Sequence, residues 1–86
     1  MAFLAKIYVT LKPAVSDPAG QTVLAALRRM GHDCAEDARI GKYLELRVSG
    51  DAADTATESV DRMCRELLSN PVIEDYRFEL QEISAS

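Results

Sequence analysis

From Phe3 to Leu11 apolar and polar residues alternate, with Phe3, Ala5, Ile7, Val9 and Leu11 on one side and Lys6, Tyr8, Thr10 and Lys12 on the other. A period of two predicts a strand with one buried face. After a short loop, Pro13 to Ser16, the pair Asp17-Pro18 marks a helix start: the carboxylate can accept from unpaired first-turn amides, and proline suits the first helical position. Val23, Leu24, Leu27 and Met30 then follow the three-and-four spacing of one helical stripe, and Gly31 can take the left-handed conformation that closes a helix.

The pattern turns extended again between Cys34 and Val48. Gly41-Lys42 reads as the tight connection of a hairpin joining Ala35–Ile40 to Tyr43–Val48. In the second of these strands Leu44, Leu46 and Val48 share one face and Tyr43, Glu45 and Arg47 the other; the first is polar enough for a sheet edge. A second helix is expected after Ser49-Gly50, capped by Asp51 or Asp54 or opened by the Thr55-x-x-Glu58 box, with a buried stripe of Ala53, Ala56, Val60, Met63, Cys64 and Leu67. Glu58 with Arg62, and Asp61 with Arg65, form favourable pairs on its solvated side. Asn70-Pro71 stops this helix, and a last strand runs from about Val72 to Ile83, where Tyr76, Phe78 and Leu80 alternate with polar residues. One domain over 1–83 and a frayed tail over 84–86 complete the expected layout.

Strand, helix, strand, strand, helix, strand is the split βαββαβ order, a ferredoxin-like α+β fold whose two helices cover one face of a four-stranded antiparallel sheet. The other face stays bare. It would carry Lys6, Tyr8, Thr10, Tyr43, Glu45, Arg47, Arg77 and Glu79, a mixture that fits either a self-association surface or plain solvated sheet.

Composition narrows the chemistry. Eighty-six residues, 48% apolar and 28% charged, make one modest soluble core, and no apolar run approaches the length of a membrane span. Cytoplasm, without membrane attachment, is the expected location. The formal charge of −4 is uneven: residues 1–48 hold seven Lys or Arg against five Asp or Glu, residues 49–69 two against five, and residues 70–86 one against four. Nucleic acid is therefore not an expected partner. Cys34 and Cys64 lack ligand spacing, and a free thiol is expected at each, with Cys64 buried. His32, the one imidazole, lies just past Gly31, where a capping or solvated residue is expected rather than a base. No glycine-rich phosphate loop is present, and Glu74-Asp75 on a strand would point to opposite faces rather than converge on a cation. No catalytic, cofactor or metal site is expected, which leaves a binding or assembly module.

Three stretches are more particular than packing requires: Tyr8-Val9-Thr10-Leu11-Lys12 running into Asp17-Pro18-x-Gly20; Arg39-Ile40-Gly41-Lys42-Tyr43-Leu44-Glu45-Leu46; and Leu67-Leu68-x-Asn70-Pro71-Val72-Ile73-Glu74-Asp75-Tyr76. In this order, over about residues 5–80, they resemble the PurS family, the small subunit of phosphoribosylformylglycinamidine synthase in purine biosynthesis. The resemblance implies a non-catalytic subunit that acts as a homodimer or a pair of dimers. It would bridge a glutaminase subunit (PurQ) and a synthetase subunit (PurL) and support ammonia transfer between them. ATP, magnesium and glutamine would be used by those partners.

Carried over position by position, the resemblance implies partner contacts at Arg39, Gly41, Lys42 and Tyr43, and at Asn70, Glu74, Asp75 and Tyr76. Gly41 would shape the turn, while Arg39 and Lys42 would offer charge to a partner or to a phosphate. The plain alternative is an ordinary hairpin with exposed cations. For Pro71 and Ile73 a helix stop and a core contact are favoured, and Asp17 and Pro18 are read as capping. Lys6, Tyr8, Thr10, Glu45 and Arg47 are the residues expected on the self-association face. The rival reading is a ligand-sensing module of the ACT kind, which shares the βαββαβ layout.

Overall fold

The computed structural model describes residues 1–83; the tail expected over 84–86 lies outside the described residues. The elements run in the order β1 (Ala2–Leu11), α1 (Pro18–Arg29), β2 (Gly41–Ser49), α2 (Ala53–Met63) with a π-helical continuation over Cys64–Leu68, and β3 (Glu74–Ile83). The sheet is antiparallel with order β2-β1-β3. β1 is central because only its inner face is apolar at every position. Phe3, Ala5, Ile7 and Val9 are at most 2% exposed.

Register sets the two faces. Ile7 lies opposite Leu44 and Phe78, and Ala5 opposite Leu46 and Leu80, so these residues share the inner face. Ala56, Val60 and Cys64 of α2 close the core over it. Tyr8 lies opposite Tyr43 and Arg77, and Lys6 opposite Glu45 and Glu79, which makes the other face polar and open.

The two-helix α+β character agrees with the sequence pattern, but the sheet has three strands among the described residues rather than four. No hairpin forms at Gly41-Lys42. Residues 35–40 take no regular structure, because Glu36, Asp37 and Arg39 leave no alternating apolar row to bury. Their backbone groups bond elsewhere: the Ala35 and Glu36 carbonyls accept from the Arg28 guanidinium, and the Ile40 amide donates to Asp17. The ACT-like layout, which needs that fourth strand, is thereby lost.

Two further expectations change. The N-cap of α2 is Ala52, which has no side-chain acceptor, rather than Asp51, Asp54 or Thr55; Asp54 instead sits in the first turn, where it favours the helix dipole. Its stripe also rotates. The buried line runs Ala56, Val60, Cys64 along the α-helix, and the widening of the turn to π geometry from Cys64 carries it on to half-buried Leu68. Leu67 consequently faces solvent at 82% exposure, and Ala53 and Met63 are exposed as well. Asp61 and Arg65 pair at 3.1 Å as expected of neighbours one turn apart.

α1 does not lie on the sheet. Asp17 caps it as expected, accepting from the Gly20 amide at 2.9 Å, and Gly31 closes it at a φ of 97°. Yet Val23 is 41% and Met30 74% exposed. A ten-residue strand spans about 33 Å and a twelve-residue helix about 18 Å; laid end to end they match the 51 Å long dimension of the molecule. The helix projects from the Thr10–Gly41 end of the sheet as an arm, with residues 32–40 returning along it. The radius of gyration, 16.8 Å, accordingly exceeds the roughly 12 Å of a compact chain this size.

Candidate protein-interaction surface

The three particular stretches meet at that same end of the sheet, joined through Lys12. Its backbone amide donates to the Ile73 carbonyl at 2.8 Å, and its ammonium pairs with Asp75 at 2.8 Å. Arg39 reaches in from the second stretch, donating from one guanidinium nitrogen to the Lys12 and Val15 carbonyls, each at 2.9 Å. Lys42 donates to the Leu68 carbonyl at 3.4 Å. The Arg39 guanidinium, which the family resemblance implied would offer charge to a partner or a phosphate, clips the β1–α1 loop here.

Gly41 has a different role from the turn expected of it. It opens β2 opposite Thr10, and a Cβ there would stand 2.5 Å from the Val9 carbonyl oxygen. Close approach of strands, rather than a reversal, requires glycine. Tyr43 points to the open face, where its ring lies 5.0 Å from that of Tyr8 and its hydroxyl donates to Glu45 at 2.8 Å. That bond, with burial second, pushes the Tyr43 hydroxyl up to about 12. Arg77 covers the other side of the Tyr8 ring at 4.0 Å. Of the residues expected on the open face, Lys6, Tyr8, Thr10, Glu45 and Arg47 all fall on it by register, with Lys6 flanked by two carboxylates.

The Asn70 stretch is a closed turn. The Asn70 amide donates to Glu74 Oε1 at 2.7 Å, the Asn70 side-chain oxygen accepts from Val72, and the Asn70 carbonyl accepts from Ile73 and Glu74. These bonds delay β3 to Glu74 and push Val72 out to 79% exposure; Ile73, expected as a core contact, is 38% exposed. Tyr76 turns inward, donating to Asp61 at 2.5 Å, and this bond first, then burial, raises its hydroxyl. Tyr76 is therefore a brace between β3 and α2, while Lys42, Tyr43, Leu67, Val72 and Asp75 are each exposed to solvent. Leu67 and Val72 escaped the sequence reading because their exposure depends on the π turn and the Asn70 turn.

Among the described residues no three His, Cys, Asp or Glu side chains gather as metal ligands, Cys34 is exposed and Cys64 is buried, and burial raises the Cys64 thiol. Asp17, also buried, is held below the ordinary carboxylate range, first by the Ile40 amide and then by that of Gly20. No described helix is long and apolar enough to cross a membrane. A small α+β chain whose sheet end is tied by hydrogen bonds and flanked by exposed apolar side chains has the make-up of an association module.

Within that class the match is specific. The PurS family model, described as phosphoribosylformylglycinamidine (FGAM) synthase, spans residues 4–82. The PurS subunit of Synechocystis is 44% identical over 81 residues, covering 94% of this chain and 81% of the relative, and that of Bacillus subtilis is 46% identical over 80 residues, covering 93% and 94%. The B. subtilis PurS structure superposes with a TM-score of 0.83 at 45% identity, over 93% of this chain and 99% of that one. A chain in the structure of PurLQS from Thermotoga maritima superposes with 0.87 at 33% identity, over 94% and 99%. The chain belongs to the PurS family of FGAM synthase subunits.

Proposed function

We propose that this chain is the non-catalytic subunit that assembles FGAM synthase by bridging its glutaminase and synthetase subunits and supporting passage of ammonia between them. The supporting observation is the likeness to the T. maritima chain found in a PurLQS structure. ATP, magnesium and glutamine are handled by the partner subunits. The corner around Lys42, Tyr43, Leu67, Val72 and Asp75 is the partner-facing surface, and the chain works as a homodimer or a pair of dimers, with the Tyr8 face among the surfaces that join copies. Arg39, Asn70, Glu74 and Tyr76 serve it by fixing the shape of the corner.

Mixing the purified chain with the two partner subunits and measuring glutamine-dependent synthase activity tests this reading. Activity should rise well above that of the partners alone, while ammonia-dependent activity of the synthetase changes less. No gain with glutamine would sink it. Replacing Lys42, whose side chain is a clean probe because it braces little, by alanine should weaken co-elution with the partners and leave the fold intact.

A further inference from the structure

Large apolar side chains exposed among the described residues are not spread evenly. Of nine, four lie on the short stretch 63–73 that joins α2 to β3: Met63, Leu67, Val72 and Ile73. Leu67 at 82% and Val72 at 79% are the most exposed of all nine. Single exposed apolar residues need no explanation, but a run of them around one connection does. Both side chains are held out by hydrogen-bonded backbone rather than carried on a loose loop. Ser69, itself only 8% exposed, closes the π turn over Cys64–Leu68 by donating to the Cys64 carbonyl from both its amide, at 3.0 Å, and its hydroxyl, at 2.9 Å. An uninterrupted α-turn would carry Leu67 and Leu68, three and four residues past Cys64, towards the sheet together. The wider turn sends Leu68 in alone. Val72 is fixed in turn by its amide bond to the Asn70 side-chain oxygen at 3.1 Å, with the next two amides donating to the Asn70 carbonyl.

We propose that the π turn is a presentation device: Ser69 holds it so that Leu67, with Val72 as a second anchor, inserts into an apolar patch rimmed by Lys or Arg on a partner subunit of FGAM synthase. This rests on the bridging role proposed above and names the chemistry of one of its contacts. The rim follows from charge. Residues 49–83 hold nine Asp or Glu against three Arg, and one of those three, Arg65, is already paired with Asp61. Exposed Glu66 adjoins Leu67 in the chain, and the C-terminal end of the helix adds its negative pole there. Such a surround steers towards a basic rim and repels an acidic one. Affinity follows from the bonds: anchors already fixed by Ser69 and Asn70 lose little freedom on docking. Ser69 is thus a positioning residue, and Leu67 the side chain it positions.

The test is calorimetric binding of the full chain to each purified partner subunit and to the two mixed, at low and high salt, with Tm and solution mass recorded for every variant. Leu67→Ala should weaken binding to one subunit by about tenfold or more, the effect of losing an interface anchor, and Leu67→Met should recover most of it. Its Tm and solution mass should match wild type, because the side chain is exposed in the free chain. Ser69→Ala should weaken the same binding several-fold although Leu67 is retained, and Ser69→Thr, which keeps the hydroxyl, should restore it. Wild-type affinity should fall as salt rises. If the double change Leu67→Ala and Val72→Ala binds like wild type, the anchor is overturned and the bridging role stands. A drop in the solution mass of that variant assigns these residues to a contact between copies and overturns the proposal as well. Full binding by Ser69→Ala overturns the positioning role, and affinity that does not fall with salt overturns the basic rim. A wild-type chain that binds neither subunit overturns both this inference and the bridging role.

Discussion

β1 and α1 each carry a regular apolar pattern and end in opposite environments: Ile7 is completely buried, and Met30 is 74% exposed. Regularity of pattern fixes the type of element and the side it offers for burial. It does not fix which surface does the burying. β1 finds its partners within the chain, because β2 and β3 flank it and α2 lies across it; α1 is attached at the sheet end and directed outward, held by Asp17, the Arg28 bonds and the close approach of Gly20 to the Ala38 carbonyl. The lesson is that an amphipathic helix in a small chain need not form a layer of that chain's own core.

Substitutions should separate the two regions. Ile7→Ala should cost about 3 kcal/mol, the range for truncating a buried aliphatic side chain, with a urea midpoint that drops at every protein concentration; a loss under about 1 kcal/mol would mean that β1 is not the core. If that variant does not fold, Ile7→Val should show a loss of about 1 kcal/mol. Leu27→Ala, at a half-buried position of a helix with no sheet beneath it, should cost less, about 1 kcal/mol.

Next in size is the base of the arm. Asp17→Ala removes the acceptor for Gly20 and Ile40 and should lower Tm by roughly 5–10 °C at neutral pH. Because its carboxyl sits below the ordinary range in the fold, the stabilisation is present above the unfolded value near 3.9 and is lost as pH falls through the lower folded value. Thermal scans from pH 6 to 2 should therefore show wild type and variant converging in acid. A constant gap would show that the charge is not what matters.

Tyr76→Phe breaks the brace between β3 and α2 and should cost about 1 kcal/mol, leaving Asp61 its pairing with Arg65. The raised hydroxyl acts in the alkaline direction: its stabilisation is whole below the unfolded value near 10 and disappears as pH rises through the folded one. The variant should lose part of the alkaline slope in chemical denaturation, though Tyr43 keeps its own share. Smallest is Asp75→Asn, which removes an exposed ion pair with Lys12 and should change stability by less than about 0.5 kcal/mol. A larger loss would make the corner part of the body's stability instead of a surface fixed by its backbone bonds.

Much of this was legible in residues 1–83 as a sequence: the strand alternation, the Asp17 cap, the Gly31 closure, the Asn70-Pro71 stop and the buried Cys64 follow from short-range spacing and side-chain chemistry. The fourth strand was not, since residues 35–40 resemble an edge strand until Arg28 and Asp17 claim their backbone groups from across the arm. Leu67 was misplaced because a π turn changes the period within one helix. Arg39 and Gly41 stood out in the sequence, but their roles, clipping a loop and admitting a neighbouring strand, depend on which carbonyl lies opposite. Local pattern determined the elements and the face each offers for burial. Tertiary structure alone decided where the arm points and which groups gather at Lys12, because contacts between residues far apart in the chain have no period for a sequence to display.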